Sequence, residues 1–204
     1  MPAPVPVPPL VLASASAARA AMLTRGGVPF VQDASAVDED EIKRAMRAEG
    51  ASADDLAVAL AEMKARQVGR RHAESLVVGS DQVLVCGERW FDKPPDRKAA
   101  REQLLSLRGK THMLISAAVV LRGGERLWHH IGRAQLTVRP FTEGFLDGYL
   151  DAAGDAILGS VGAYQLEGFG AQLFTRVEGD YFTILGMPLL PLLDFLRNHG
   201  VVKP

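Results

Sequence analysis

The sequence predicts an α/β protein in which helices flank a mixed, twisted β-sheet. Short apolar runs that are typical of buried strands alternate along the chain with amphipathic segments of helical periodicity. The chain has 204 residues, 48% of them hydrophobic and 23% charged, which suits one domain or two closely packed lobes. No internal repeat or long low-complexity linker divides it. The mixed order of the elements therefore favours α/β over an all-α or all-β fold.

The chain opens with a proline-rich segment, Met1–Pro9, that predicts a flexible, extended arm. Residues 10–204 are then predicted to form a single domain. Leu10–Ala13 is a short apolar strand, and a turn of small residues leads from it into a helix over Ala17–Leu23. Such a turn places backbone N–H groups at a helix N-terminus, where an anion can bind.

A second strand is predicted within Phe30–Val37, followed by a helix that begins at the acidic run Asp38–Glu41 and ends near Arg47. Ser52–Arg66 is a capped, amphipathic helix, and Lys64 is predicted to lie beside its apolar face. That face is formed by Leu56, Ala59, Leu60 and Met63.

The second half of the chain continues the alternation of strands and helices, and a second lobe is predicted to begin near Asp96 and to return near Gly159. The predicted strands are Leu76–Val85, Met113–Leu121, Arg133–Phe141 and a hairpin of Leu173–Val177 with Tyr181–Leu185. The predicted helices are Asp96–Leu107, Thr142–Ala153 and Pro188–Arg197.

Asp81 is the strongest anomaly in the sequence, because it is an acid inside the apolar run LVVGSDQVLV. Burying an ionised carboxylate is costly unless it is paired or binds a cation. A structural ion pair and a functional acid both satisfy that requirement. Gly79, two residues earlier, allows backbone or ligand to approach closely.

Other chemistry-bearing groups have plain structural alternatives. The acidic run Asp38–Glu41 suits a solvated first helical turn better than a metal ligand, and Lys64 and Lys93 suit solvated surface lysines. The glycine-dense segment Gly159–Gly170 is either a bent surface loop or a site of close backbone approach.

Several classes of protein are excluded or disfavoured. A net charge of −1 disfavours a nucleic-acid binder, and no apolar stretch is long enough to span a membrane. The N-terminal arm is not expected to act as a signal peptide, and the single cysteine suits a reducing compartment, so a cytoplasmic location is predicted. Walker, zinc and GxSxG patterns do not occur.

Seven blocks in order resemble the Maf family of nucleoside triphosphate pyrophosphatases, over Leu10 to about Gly200. They are LVLASASAAR, VDE (37–39), EMKA (62–65), GSDQV (79–83), DKP (92–94), LRGKTH (107–112) and GAYQLEGFGAQLF…VEGDYFTILGMPL, ending at Leu189. The resemblance implies hydrolysis of a nucleoside triphosphate to the monophosphate and pyrophosphate. It also implies a divalent metal, Mg²⁺ or Mn²⁺, a cleft between two α/β lobes, and a homodimer.

The resemblance also implies roles for individual residues. Asp81 matches the catalytic acid, which accepts a proton and lies near the metal, and Glu39 matches a second acid near the metal. Ser14 matches the serine of the opening turn. The cationic positions that would hold the triphosphate are matched by Arg19, Lys64 and Lys93.

The GSDQV block also indicates which nucleotide base is preferred, as the resemblance implies. A GADT-like branch of the family prefers dTTP and UTP, whereas a GSDQ-like branch acts on 7-methyl-GTP. Gln82 and Glu167 match the second branch, and an amide with a carboxylate suits a guanine edge. The usual opening, SxSPRR or SxSPWR, is here SASAAR, so Ala18 replaces a side chain linked to base selection. The substrate expected is therefore 7-methyl-GTP, and dTTP or UTP is the alternative substrate. The alternative function is that of a non-catalytic, nucleotide-binding division regulator.

Overall fold

The computed structural model describes residues 9–203. The predicted arm, Met1–Pro9, lies outside the described residues except for Pro9. The strands are β1 (Leu10–Leu12), β2 (Val31–Gln32), β3 (Leu76–Cys86), β4 (Arg89–Phe91), β5 (Thr111–Arg122), β6 (Glu125–Val138) and β7 (Phe174–Gly179). The helices are α1 (Ala17–Arg25), α2 (Glu39–Ala48), α3 (Ala53–Gly69), α4 (Arg97–Leu107), α5 (Glu143–Ala153), α6 (Tyr181–Ile184) and α7 (Leu189–Asn198).

The seven strands form one mixed sheet in the order β2-β1-β3-β5-β6-β7, with β4 also paired to β3. The strand β1 runs parallel to both of its neighbours, β2 and β3. The pairs β3–β5, β5–β6 and β6–β7 are antiparallel. The predicted α/β class and mixed sheet are therefore confirmed. None of the helices within residues 9–203 is long and apolar enough to cross a membrane.

The side chains of β3 divide between the two faces of the sheet, as the twofold repeat of a strand requires. Leu76 and Val78 pack in a cluster with α1 and α7, and Val77 and Val83 pack in a second cluster with α3. Leu84 joins a third cluster with α4 and α5, which is the core of the predicted second lobe. One sheet continues through both lobes, and the cleft between them lies over its middle.

One predicted strand is shorter than its segment and another is wrong. In the segment Phe30–Val37 only Val31–Gln32 forms a strand, and its pairing with the three-residue β1 ends as the amide of Asp33 donates to the carbonyl of Leu12 at 3.1 Å. Further along, the amide of Ala36 donates instead to Gln67 Oε1, at 2.6 Å. The segment Tyr181–Leu185 forms the short helix α6 rather than a strand, because the carboxylate of Asp180 caps it by accepting from the amide of Thr183 at 2.7 Å.

The predicted apolar face of α3 is also displaced. The capping box of Ser52 and Asp55 is confirmed, but Met63 is 42% exposed and Lys64 lies within the buried face. The buried residues are Leu56, Ala57, Leu60, Ala61, Lys64, Ala65 and Val68. Small alanines let α3 approach β3 closely, which is why the lysine is held inside rather than beside the interface.

Gly79 is where α3 and β3 approach most closely. A Cβ atom at this position would stand 1.9 Å from the carbonyl oxygen of Ala61 and 2.9 Å from Ala65 Cβ. The close approach expected from the sequence is therefore made by backbone. We expect Gly79→Ala to lower the free energy of unfolding by about 3 kcal/mol, since an overpacked core must shift its backbone.

Urea denaturation of the wild type and the variant would measure that loss. Gly144→Ala is the matched control, because a Cβ at Gly144 on α5 meets nothing within 4 Å. The control is expected to be neutral or slightly stabilising. Equal unfolding free energies for the two variants would contradict the packing described for Gly79.

Candidate active site

A cleft of about 770 Å³ opens between the two lobes, which is within the roughly 300–1,000 Å³ of small-molecule sites. Its walls come from the β1–α1 turn, α2, α3, the middle of β3, the loop after β4 and the segment that follows α5. Seven of the sequence-predicted residues line it: Ser14, Arg19, Glu39, Lys64, Asp81, Gln82 and Lys93. Tertiary folding thus brings together residues that are up to 79 positions apart in the chain.

The strand β3 reaches the cleft along an open edge. On that edge β1 pairs with Leu76–Val78 and β4 pairs with Leu84–Cys86, so the stretch Gly79–Val83 between them has no strand beside it. A ligand can therefore reach side chains from both faces of β3. The strand neither ends nor bulges at Gly79–Gln82, because β3 pairs with β5 in continuous register from Val77 to Val85.

At the floor of the cleft a single ammonium group joins two carboxylates. Lys64 Nζ lies 2.5 Å from Asp81 Oδ1 and 2.6 Å from Glu39 Oε1. The side chains of Asp81 and Lys64 are only 7% and 9% exposed, so the pair is buried and mutually dependent. Burial alone would raise the pKa of Glu39, but the charge and hydrogen bond of Lys64 outweigh it and leave that pKa below its usual value.

Arg19 is held at the cleft by groups from both ends of the chain. Its Nε donates to the carbonyl of Gly186 at 2.9 Å, and its Nη1 donates to the hydroxyl of Ser14 at 3.2 Å. Burial lowers the pKa of Arg19, and the charges of Asp81 and Glu39 oppose that change. The guanidinium is thus oriented before any anion arrives.

The start of α1 adds backbone donors to the same wall. Ser16 caps the helix by accepting from the amide of Arg19 at 3.4 Å, and Ala17 and Ala18 line the cleft. The first amides of a helix have no intrahelical acceptor, so they remain available to an anion. The anion site predicted from the strand–turn–helix order therefore opens into the cleft.

Lys93 completes the set of predicted cations. It follows β4 and precedes Pro94, which is buried, so the chain is anchored directly after the lysine. Partial desolvation, followed by repulsion from Arg19, lowers the pKa of Lys93, whereas Glu39 and Asp81 raise it. Lys93 is exposed and lines the cleft, so its ammonium group can donate to a polyanion there.

Lys43 and Asp92 were not predicted as site residues. Lys43 Nζ lies 2.7 Å from Asp92 Oδ1 and 3.6 Å from Glu39 Oε2, and all three residues line the cleft. Desolvation would lower the pKa of Lys43, but the hydrogen bond to Asp92 raises it overall. The spacing of Glu39 and Lys43, four residues apart on a helix, is the one sequence pattern that indicates this fourth cation.

Glu167 lies apart from the other predicted residues. It is exposed and lines a smaller recess that adjoins the cleft, together with Ala18, Gln82, Tyr164 and Leu185. The recess shares Gln82 and Ala18 with the cleft, so one ligand can contact both. The structure thus places Gln82, Glu167 and Ala18 around one small space.

The glycine-dense segment, Gly159–Gly170, contributes to the wall of this recess. Hydrogen bonds to side chains of β5 and α5 hold it in place. Tyr164 OH lies 2.7 Å from His112 Nε2, and Tyr149 OH donates to the carbonyl of Ala163 at 3.1 Å. Ala163 has a positive φ of 58°. Burial raises the pKa of both tyrosines, and repulsion between them raises that of Tyr164 further, so both remain protonated donors.

His112 gives the anchor a measurable pH dependence. Its side chain is 2% exposed, and burial lowers its pKa to about 4 from an ordinary value near 6.5. The unfolded chain therefore takes up a proton at a higher pH than the folded protein. We expect stability to fall as the pH drops from about 6.5 to about 4, with His112 contributing about 3 kcal/mol of that loss.

Unfolding free energies measured across this pH range in the wild type and in His112→Gln would isolate the contribution. The pH dependence should be shallower in the variant, and unchanged in the control His129→Gln, whose side chain is exposed. Parallel pH curves for wild type and His112→Gln would show that His112 is not the group responsible.

The carboxylates of the cleft also define where a metal could bind. Within residues 9–203 there is no group of three or more His, Cys, Asp or Glu side chains arranged to hold a metal ion. Glu39 and Asp81 nevertheless converge on one cation, the ammonium of Lys64. Two carboxylates with substrate phosphates and water form a typical Mg²⁺ site, so these residues fit such an ion once a polyphosphate is present.

Comparisons with known proteins agree with this geometry. The family described as Maf-like protein matches residues 9–199. The chain is 57% identical to a nucleoside triphosphate pyrophosphatase of Paramagnetospirillum magneticum, over 95% of this chain and all of that protein. It is 56% identical to a protein of the same name from Granulibacter bethesdensis, over 93% and 96%. It is 50% identical to a 7-methyl-GTP pyrophosphatase of Rhizobium meliloti, over 96% and 98%. With the blocks around Ser14, Glu39, Lys64, Asp81 and Lys93 all meeting in one cleft, the chain belongs to the Maf family.

Proposed function

We propose that this chain hydrolyses 7-methyl-GTP to the monophosphate and pyrophosphate with the help of a divalent metal. More broadly, the chain is a nucleoside triphosphate pyrophosphatase, a hydrolase, like its relatives at 50–57% identity. One observation carries the reaction class: a paired acid, Asp81, lies on the floor of a cleft whose walls hold Arg19, Lys43 and Lys93.

The cations account for the binding of a triphosphate. A nucleoside triphosphate carries about four negative charges, and preorganised cations stabilise such charge as it shifts during phosphoryl transfer. Arg19 is already oriented by Gly186 and Ser14, so little of its freedom is lost on binding. Lys64 is buried among the acids and can exchange a carboxylate partner for a phosphate oxygen.

Asp81 is positioned to act on water. Its Oδ1 meets Lys64, whereas Oδ2 has no hydrogen-bond donor among the described residues and is not sealed from the cleft. We assign Oδ2 as the atom that takes the proton from the water that attacks the α-phosphorus. Glu39 and Asp81 would hold the divalent ion, Mg²⁺ or Mn²⁺, which supplies charge neutralisation at the phosphate oxygens when bound.

The base preference rests on Gln82 and Glu167 at the recess. A guanine edge carries neighbouring N–H donors that suit two acceptors. Methylation at N7 gives the ring a positive charge, and the carboxylate of Glu167 favours a cationic base over a neutral one. Ala18 leaves room at the recess, and it cannot stack on a base as an aromatic side chain would.

Pyrophosphate release from a panel of nucleotides tests this proposal. The panel contains 7-methyl-GTP, GTP, CTP, UTP and dTTP, each with Mg²⁺, Mn²⁺ or excess chelator. We expect 7-methyl-GTP to give the highest kcat/KM and the chelator to abolish turnover. A preference for UTP or dTTP would overturn the base assignment, and nucleotide binding without turnover would favour the regulator. Full turnover in chelator would overturn the metal requirement.

The cellular location, the oligomeric state and the absence of nucleic-acid binding remain predictions. We propose a cytoplasmic enzyme that forms a homodimer and does not bind nucleic acid, as the family resemblance, the single cysteine and the net charge of −1 together favour. The single domain over residues 10–204 is a prediction of the same kind. Sedimentation analysis of the purified chain would measure the oligomeric state.

A further inference from the structure

Three polar side chains on one face of the sheet hold the short helix α6 and the turn that follows it. Ser80 Oγ shares its proton between the carbonyl oxygens of Ala117, at 2.8 Å, and Gly186, at 3.0 Å, and Ser116 Oγ donates to the carbonyl of Thr183 at 2.7 Å. Gln82 Nε2 lies 3.0 Å from the carbonyl oxygens of Thr183 and Ile184. Both serines are completely buried, so these bonds are sheltered from water.

The contacts of Gln82 fix which end of its amide faces the cleft. Nε2 lies 3.0 Å from Ser116 Oγ as well as from the carbonyls of Thr183 and Ile184, and carbonyls can only accept. The nitrogen must therefore face inward, and the oxygen outward. Within residues 9–203 the outward oxygen has no hydrogen-bond partner and is not sealed from solvent, while Gln82 lines both the cleft and the recess.

Ser116 supports this orientation from β5, since it contacts both Gln82 Nε2 and the carbonyl of Thr183. Its only proton goes to the carbonyl of Thr183, so its lone pairs are left to accept from Gln82. The helix cannot move away easily, because Thr183 is pressed against β6: a Cβ at Gly132 would lie 2.3 Å from Thr183 Oγ1. Both N–H groups of the Gln82 amide therefore have acceptors on the inward side.

We infer that Ser116 is a positioning residue that helps to hold Gln82 as an acceptor-only reader of the base. This inference rests on the proposed function for the identity of the ligand. With Gln82 Oε1 and the carboxylate of Glu167 both accepting, the recess selects bases that present neighbouring N–H donors. The N1–H and N2 amino group of guanine form such a pair, whereas hypoxanthine lacks the amino group.

Ser80 gives a contrast within the same scaffold. It contacts the carbonyl of Gly186, which also accepts from Arg19 Nε, and no hydrogen bond joins it to Gln82 within residues 9–203. Loss of the Ser80 hydroxyl should therefore weaken binding of the phosphates equally for every base. Loss of the Ser116 hydroxyl should change the choice between bases.

The first experiment observes the amide directly and needs no turnover. In the wild type the side-chain NH₂ protons of Gln82, assigned by their loss in Gln82→Met, should exchange slowly with water. In Ser116→Ala we expect that exchange to be severalfold faster, since the two NH₂ protons keep only the two carbonyl acceptors and the carbonyl of Thr183 loses its own bond to β5. Fast exchange in the wild type would overturn the inward orientation, whatever nucleotide the enzyme hydrolyses.

The second experiment compares 7-methyl-GTP with 7-methyl-ITP, which differ only in the N2 amino group. We expect the wild type to prefer the guanine nucleotide by about tenfold or more in kcat/KM, as a lost hydrogen bond predicts. Ser116→Ala should reduce that preference severalfold, mainly through KM. Ser80→Ala should raise KM for both nucleotides equally, and Ser106→Ala, on α4 and outside the lining of the cleft and the recess, should change neither.

An unchanged preference in Ser116→Ala would overturn the positioning role. A wild type that does not distinguish the two nucleotides would overturn the acceptor-only reading of the recess. If no nucleotide is hydrolysed, the proposed function fails, and the exchange measurement still decides the orientation of Gln82.

Discussion

Replacing Asp81 with asparagine is expected to lower kcat for pyrophosphate release by about 10³-fold, within the range for loss of a general base. Asparagine keeps the volume of the side chain but cannot take a proton from water, and it removes one of the two carboxylates that converge on Lys64. Nucleotide binding should survive or strengthen, because Lys64 loses a competing partner. The loss should therefore lie in kcat rather than in KM.

Initial rates with the preferred nucleotide, together with calorimetric titration of a non-hydrolysable analogue, would separate the two effects. Asp147→Asn is the control, since Asp147 is a 60% exposed acid on α5 whose ion-pair partner is Arg101. That variant should behave as the wild type. Turnover by Asp81→Asn within threefold of the wild type would refute the role of Asp81 as the base.

Lys64→Met is expected to lower the free energy of unfolding at pH 7 by about 3 kcal/mol, as for other broken buried ion pairs. Methionine has a similar length, but without the ammonium group the carboxylates of Asp81 and Glu39 face each other in a poorly hydrated space. The deficit should shrink as the pH falls from 7 to about 4, because Glu39 without Lys64 loses the charge that lowers its pKa, and its protonation removes the repulsion.

Chemical denaturation at several pH values would measure this deficit, with Lys98→Met as the control because Lys98 is exposed on α4. The double variant Lys64→Met/Asp81→Asn should recover much of the lost stability, since it removes the unpaired charge. A deficit that is the same at pH 7 and pH 4 would show that Lys64 stabilises the fold by packing rather than by charge.

Local sequence rules located most of the elements and the centre of the site. The strand through Arg133–Val138, the capped helix that follows Ser52, and the helix after Pro188 all appear as predicted. These features depend on neighbours a few positions apart. Asp81 was found from the sequence alone, because a charged residue inside an apolar run departs from the local pattern.

Other features depended on contacts that no local pattern records. The helix α6 replaced a predicted strand, because the cap at Asp180 and the hydrogen bonds from β3 and β5 outweighed the strand-forming residues. Lys64 looked like a surface lysine and proved to be buried, because its partners lie on α2 and β3. Lys43 was not predicted as a site residue, because its partner Asp92 lies 49 residues away in the sequence.

The sequence by itself determined the α/β class, the family, and the chemical types of the groups in the cleft, because these follow from local composition and ordered motifs. Only the tertiary structure decided which groups meet. It showed that Asp81 and Gln82 use opposite faces of one unbroken strand and reach the cleft together because the edge between β1 and β4 is open. It also showed which end of the Gln82 amide is outward. Both outcomes depend on strand pairing and long-range hydrogen bonds, which arise only when distant segments pack together.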